Sequence, residues 1–173
     1  MYWRQFGFLS LIACTLAFWG CSDDAGDKMT TMKTDEPAPL ASNFTLLSTE
    51  LEEVSLTDYQ GKVVLLDFWA TWCKPCREEI PIFIDLYNQY RAQGFEMIGI
   101  SMDDERLKVV EPFIKELKVN YTILLGEPEL LQKYNVPVMP SAFLIDRSGK
   151  IVKAFHGAQG AKLTYEKELK KLL

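Results

Sequence analysis

Apolar and polar positions alternate along this chain with two different periods. The run Val63-Val-Leu-Leu-Asp-Phe-Trp69 is almost continuously hydrophobic, the pattern of a strand covered on both faces. After it, Ile80, Phe83, Ile84, Tyr87 and Tyr90 recur at helical spacing and predict a helix from about Lys74 to Gln93, with Gly94 as its C-terminal cap. Glu96 to Met102 reads as a second core strand, and Asp104 to Leu117 as a helix whose apolar face holds Leu107, Val110, Ile114 and Leu117. Tyr121 to Leu125 is the next strand and Pro128 to Tyr134 a short helix. Ser141 to Ile145 and Ile151 to His156, joined by the turn Asp146-Arg-Ser-Gly149, form a predicted antiparallel hairpin, and Ala161 to Leu173 closes the chain as a helix. Upstream, Asn43 to Leu47 and Glu53 to Leu56 predict a hairpin, followed by a turn through Thr57-Asp-Tyr-Gln-Gly61. Strands alternating with helices define an α/β domain.

Before residue 40 the pattern changes. Arg4 is followed by Phe6 to Gly20, a run without charge that ends at Gly20-Cys21-Ser22-Asp23-Asp24. As a helix this run spans about 22 Å, short of the roughly 30 Å hydrocarbon core, so residues 1–20 read as a signal segment rather than a permanent span. A small residue followed by Cys and a polar stretch is similar to a bacterial lipoprotein signal, which implies lipidation at Cys21. Leu11-Ile-Ala-Cys14 is a second local match, and an ordinary signal sequence or a short uncleaved anchor are the other readings. All of them export the domain and, the ordinary signal sequence aside, hold it at the extracytoplasmic side of a membrane. Residues 21–39 are polar and close with Pro37-Ala-Pro39, the composition of a flexible tether with a reach on the order of 20–25 Å. Residues 40–173 remain as the folded domain. A length of 173 residues, 48% of them hydrophobic, suits one such domain plus this extension, and 19 basic against 24 acidic residues leave no polybasic patch for nucleic acid.

The chemistry sits where the first core strand meets its helix, in Trp69-Ala-Thr-Trp-Cys73-Lys-Pro-Cys76-Arg-Glu-Glu-Ile-Pro81. Pro75 suits a first helical turn, where its missing N–H costs nothing, and the free N–H groups and dipole there favour an anion on Cys73. Two intervening residues let both sulfurs sit on one turn, so Cys76 can attack a mixed disulfide formed at Cys73. A tetrahedral zinc site needs more ligands than these, and beyond residue 21 His156 is the only histidine to add. Export places the pair in oxidising surroundings.

Phe68-Trp-Ala-Thr-Trp-Cys73-Lys-Pro-Cys76 resembles the active site of the thioredoxin superfamily and, more closely, that of the membrane-tethered TlpA/ResA group, over Ala38 to the C-terminus. The resemblance implies a thioredoxin fold: a central mixed sheet flanked by helices, with an N-terminal β-hairpin extension. It also implies a thiol-disulfide oxidoreductase with a redox-active Cys73/Cys76 pair and no cofactor. Its partners would be disulfide-bearing proteins and a membrane thiol electron donor, with apocytochrome c maturation as one task. Asp67, six residues before Cys73, matches the buried aspartate that assists proton transfer at the second cysteine, a position where many tethered members carry Asn. Glu79, three residues after Cys76, matches an acidic residue near the active site, and the expectation is that it tunes the thiols or orients the partner. Met139-Pro140 matches the cis-proline segment, which would turn the Met139 backbone toward an extended substrate, and Trp69 and Trp72 would shape an apolar rim.

Each of these has a plainer reading. Glu79, beside Glu78, also reads as a solvated helix carboxylate, Asp67 as an acid reaching solvent at a strand edge, and Pro140 as an ordinary trans proline. His156 reads as structural or exposed. A thiol peroxidase would place Pro seven and Thr or Ser three residues before the cysteine, where this chain has Leu66 and Ala70. An exported copper carrier of the Sco type would need wider cysteine spacing and a convergent histidine. Lys74-Pro75 between the sulfurs is more similar to a reductase than to strongly oxidising exported proteins.

Overall fold

The computed structural model describes residues 38–159 and 161–173. The expected signal, Cys21 and most of the expected tether lie outside the described residues. Strands β1 (Thr45–Leu47) and β2 (Glu53–Ser55) pair antiparallel as a small hairpin, the extension expected ahead of the domain. Five further strands form one mixed sheet: β3 (Val63–Trp69), β4 (Phe95–Ser101), β5 (Thr122–Leu125), β6 (Ser141–Ile145) and β7 (Ile151–His156). Their order is β5-β4-β3-β6-β7, with β3 at the centre, parallel to β4 and antiparallel to β6.

Every residue of β3 is buried, as its continuous hydrophobicity requires. Its alternation divides the core in two. Val63, Leu65 and Trp69 face one layer, and Val64, Leu66 and Phe68 face the other. The first layer contains α1 (Lys74–Tyr90), α2 (Leu107–Leu117) and α4 (Lys162–Leu169). The links β3-α1-β4 and β4-α2-β5 step the same way across the sheet, so right-handed crossovers place both helices on one face. The second layer holds α3 (Pro128–Lys133) and the hairpin, through Leu130, Phe44 and Leu46. The hairpin also guards the sheet edge: Thr49 N–H donates to Ile123 O at 3.2 Å, and Ser48 bridges to Leu124 of β5.

Element boundaries depart from the sequence pattern where polar side chains are diverted. α1 ends at Tyr90 and tightens into a 3-10 turn, Arg91–Gln93, before Gly94 takes a left-handed φ of 86°. α2 begins at Leu107 rather than Asp104. The Asp103 carboxylate, which could have capped it, is bonded to Thr71 instead, and Arg106 N–H closes a turn onto Asp103 O at 3.1 Å. α4 is shorter than its pattern, ending at Leu169.

Candidate active site

Cys73 is the N-cap of α1, and Cys73 N–H closes the preceding turn onto Ala70 O at 3.1 Å. Pro75 occupies the first turn, as its fixed φ and missing N–H favour. Cys73 and Cys76 form a disulfide with Cα atoms 5.3 Å apart, and Cys76 N–H donates to Cys73 Sγ at 3.3 Å. The same N–H, with the helix dipole, stabilises a thiolate on Cys73 once the bond is reduced. Cys76 is 1% exposed and Cys73 6%, so an incoming sulfur reaches Cys73 first.

Two acids lie on the cysteine face of the sheet. Asp67, two residues before Trp69 on β3, is 2% exposed, and its Oδ1 has no hydrogen-bond partner among the described residues. Burial, then repulsion from Glu79, holds its carboxyl well above the usual carboxylate range, so the strand-edge reading does not apply. Glu79 is 1% exposed. The solvated reading of Glu79 is therefore corrected: its Oε1 accepts from Gln159 N–H at 2.7 Å and from Tyr165 O–H at 2.9 Å. The buried stripe of α1 runs Cys76, Glu79, Ile80, Phe83, Leu86, Tyr90, so Glu79 shares the face of Cys76 by helical spacing. Burial and the Glu79 and Asp67 charges push the Tyr165 phenol far above its ordinary value, and burial together with Asp67 does the same to Tyr121.

A second loop faces the pair. The Met139-Pro140 peptide is cis, and Met139 packs against the core cluster that contains Cys73 and Cys76. Its neighbour Val138 and Trp72 are exposed, Trp72 at 68%. Trp69 does not belong to this rim. Strand alternation turns its indole inward, where it is 1% exposed and its ring centroid lies 5.5 Å from that of Phe113 on α2. His156 has an exposed ring but a defined contact. Ser141 Oγ donates to Val138 O at 2.6 Å, so its 3.0 Å contact with His156 Nδ1 uses the histidine as donor. Gly157 N–H donates to Pro140 O at 2.9 Å, so the end of β7 braces both sides of Met139.

Sequence reasoning placed Cys73, Cys76, Asp67, Glu79, Trp72 and Met139-Pro140, and missed Tyr165, Gln159, Ser141 and Asp103. Each missed residue acts through a contact with a partner at least fifteen positions away. Tyr165, an aromatic residue in a helix, carried no local signal beyond its apolar spacing.

The AhpC/TSA family model matches residues 36–154. ResA, a thiol-disulfide oxidoreductase of Bacillus thuringiensis subsp. konkukian, is 35% identical over 133 residues, covering 76% of each chain. The ResA of Bacillus subtilis is 33% identical over 127 residues, 73% of this chain and 70% of that one. Among solved structures, a candidate thiol:disulfide interchange protein DsbE from Chlorobium tepidum superposes with a TM-score of 0.74 at 31% identity, covering 78% of this chain and 96% of the other. The thioredoxin domain of thiol-disulfide oxidoreductase BVU-2223 from Bacteroides vulgatus gives 0.69 at 31% identity, with 76% and 96% covered. The chain belongs to the AhpC/TSA family, has the thioredoxin fold, and is a thiol-disulfide oxidoreductase.

Proposed function

We propose that this member of the AhpC/TSA family reduces protein disulfides outside the cytoplasm, held to a membrane by its N-terminal segment, with Cys21 as the lipidated residue. In the dithiol form the Cys73 thiolate attacks one sulfur of a substrate disulfide, forming a mixed disulfide and releasing a substrate thiolate that takes up a proton. Cys76 then gives its proton to the Asp67 carboxylate and attacks Cys73 Sγ. The Cys73–Cys76 bond forms, the second substrate thiolate leaves, and two electrons have passed to the substrate. Burial raises the proton affinity of the Asp67 carboxylate, which suits it to take that proton. Glu79 tunes this step, because its charge is the second cause of the Asp67 shift. Trp72 and the Met139-Pro140 backbone dock the substrate segment.

The observation that carries the reading is the asymmetry of the pair, with Cys73 at the helix N-terminus under a backbone N–H and Cys76 buried behind it. Each cycle ends in the disulfide, so a dithiol donor must restore it, which outside the cytoplasm means a membrane thiol protein. Apocytochrome c is a substrate of the right kind. The peroxidase reading is disfavoured because buried Leu66 and Ala70 stand where its Pro and hydroxyl residue are needed, and the copper-carrier reading because the sulfurs are separated by only two residues. The test is the equilibrium reduction potential of the full chain in a dithiol buffer. A value near about −270 mV supports a reductant, whereas one near about −120 mV reverses the direction. Loss of acyl-lipid labelling in Cys21→Ala tests the anchor, and unchanged labelling there removes Cys21 from it.

A further inference from the structure

Asp103, on the loop after β4, is 6% exposed, yet its carboxylate is turned toward the active-site turn rather than toward solvent. Its Oδ1 accepts from Thr71 Oγ–H at 2.6 Å, and the Thr71 N–H is shared between Oδ1 at 3.2 Å and Oδ2 at 3.0 Å. Oδ2 also accepts from Ser101 Oγ–H at 2.8 Å, and Asp103 N–H donates back to Ser101 Oγ at 3.3 Å. Ser101 is itself 2% exposed. Both oxygens are thus occupied by donors from two segments, and charge-assisted bonds in so enclosed a place are the strong ones. Thr71 lies one residue before Trp72 and two before Cys73. The turn is held at one further point, where Met102 N–H donates to Trp69 O at 2.8 Å.

We propose that Asp103 is a positioning residue for thiol-disulfide exchange: through Thr71 it fixes the turn that presents Trp72 to the substrate and sets Cys73 Sγ over the N-terminus of α1. The anchor belongs to the loop after β4 and not to the active-site helix, so it holds the turn through the change from disulfide to dithiol, when the Cys73–Cys76 link is absent. It rests on the disulfide-exchange reading for its substrate arm only.

Three variants of the full chain separate this role from its rivals. Thr71→Val keeps the carboxylate and the side-chain shape but removes the 2.6 Å donor. Asp103→Asn removes the charge, and Thr71→Ser keeps the hydroxyl while removing only the methyl group. Two readouts are used: reduction of insulin disulfides, resolved into KM and kcat, and the rate at which iodoacetamide alkylates Cys73 in the dithiol form at neutral pH. Thr71→Val and Asp103→Asn are expected to raise KM for insulin by about tenfold, the scale of one lost charge-assisted hydrogen bond. Both are also expected to slow alkylation, and Thr71→Ser to keep wild-type values in each assay. If Thr71→Val lowers the melting temperature but leaves KM and alkylation unchanged, Asp103 is merely structural and the proposal falls. It falls equally if Asp103→Asn speeds alkylation while Thr71→Val does nothing, since that is a through-space charge effect. If the wild type does not reduce insulin, the functional reading fails, and the alkylation arm still decides the anchor.

Discussion

Replacing Asp67 by Asn should make the oxidised protein more stable at neutral pH, by an amount that grows with pH. The carboxyl is held above its ordinary value of 3.8 first by burial and then by Glu79. The native state therefore keeps a proton that the unfolded chain releases. Below the unfolded value both states are protonated and the group gives no slope. Between the unfolded and native values, stability falls as pH rises, by up to about 1.4 kcal/mol per pH unit for one proton. Above the native value both states are ionised and the full penalty stands. Asn keeps the shape and removes the titration, so the stability difference between variant and wild type should be flat below about pH 4, climb, and then level off at the native pKa. Urea unfolding of the disulfide-intact chain across pH measures it, because the oxidised cysteines do not titrate. In melting temperature each kcal/mol corresponds to roughly 2–6 °C for a domain of this size. Adding Glu79→Gln should move the levelling point to lower pH, since that charge is the second cause of the shift. A stability difference that is the same at about pH 4 and about pH 9 would refute the reasoning.

Further substitutions probe the packing around the pair. In Gly99→Ala the new Cβ would lie 2.7 Å from Ile123 Cδ1 and 2.9 Å from Trp69 Nε1, so a loss of about 1–3 kcal/mol is expected in urea unfolding, and no loss would mean that the buried indole is free to move. Tyr165→Phe removes a donor on Glu79 Oε1, with an expected cost of about 1.5–3 kcal/mol for a bond to a charged group. A wild-type denaturation midpoint would show that the bond contributes nothing. Ser141→Ala removes the hydroxyl between His156 Nδ1 and Val138 O. It should cost about 1–3 kcal/mol and raise KM for insulin, and an unchanged KM would detach this brace from substrate docking.

Much of the architecture was legible because β3 and α1 state their burial in their spacing. Seven buried residues in Val63–Trp69 follow from a continuous hydrophobic run, and β6 and β7 match their expected bounds because Asp146 to Gly149 is strong turn chemistry. The site was legible where function imposes a local pattern, as at Cys73, Pro75 and Cys76. It was illegible where one side chain serves a distant segment. Asp104 looked like the start of α2, but the neighbouring Asp103 carboxylate is bonded to Thr71 and cannot cap that helix, and the helix starts at Leu107. Glu79 was ambiguous beside Glu78, and it is burial with bonds from Gln159 and Tyr165, both distant in sequence, that decides it. Trp69 was expected on the rim with Trp72, yet it shares the face of Leu65 on β3 and is buried in the core.

The distribution of buried polar groups explains how one small domain tolerates such a site. Among the described residues, the buried polar and charged side chains of Asp67, Glu79, Ser101, Asp103 and Ser141 lie on or beside the elements that carry the cysteines and Met139, and Ser48 lies at the far edge. The opposite layer is built from Val64, Leu66, Phe68, Ile98, Ile100 and Phe143, with no buried charge in its cluster. Burying a polar group is unfavourable unless its bonds are satisfied, and the two kinds of group at the site divide on this point. Asp103 and Ser141 are saturated, and they hold the Trp72 turn and the Val138 carbonyl still. Asp67 is left short of a partner at Oδ1 among the described residues, and it is the group proposed above to exchange a proton. A saturated carboxylate fixes geometry because every donor resists its movement. An undersatisfied one can change protonation state without breaking a bond, and the apolar second layer holds the sheet while it does so.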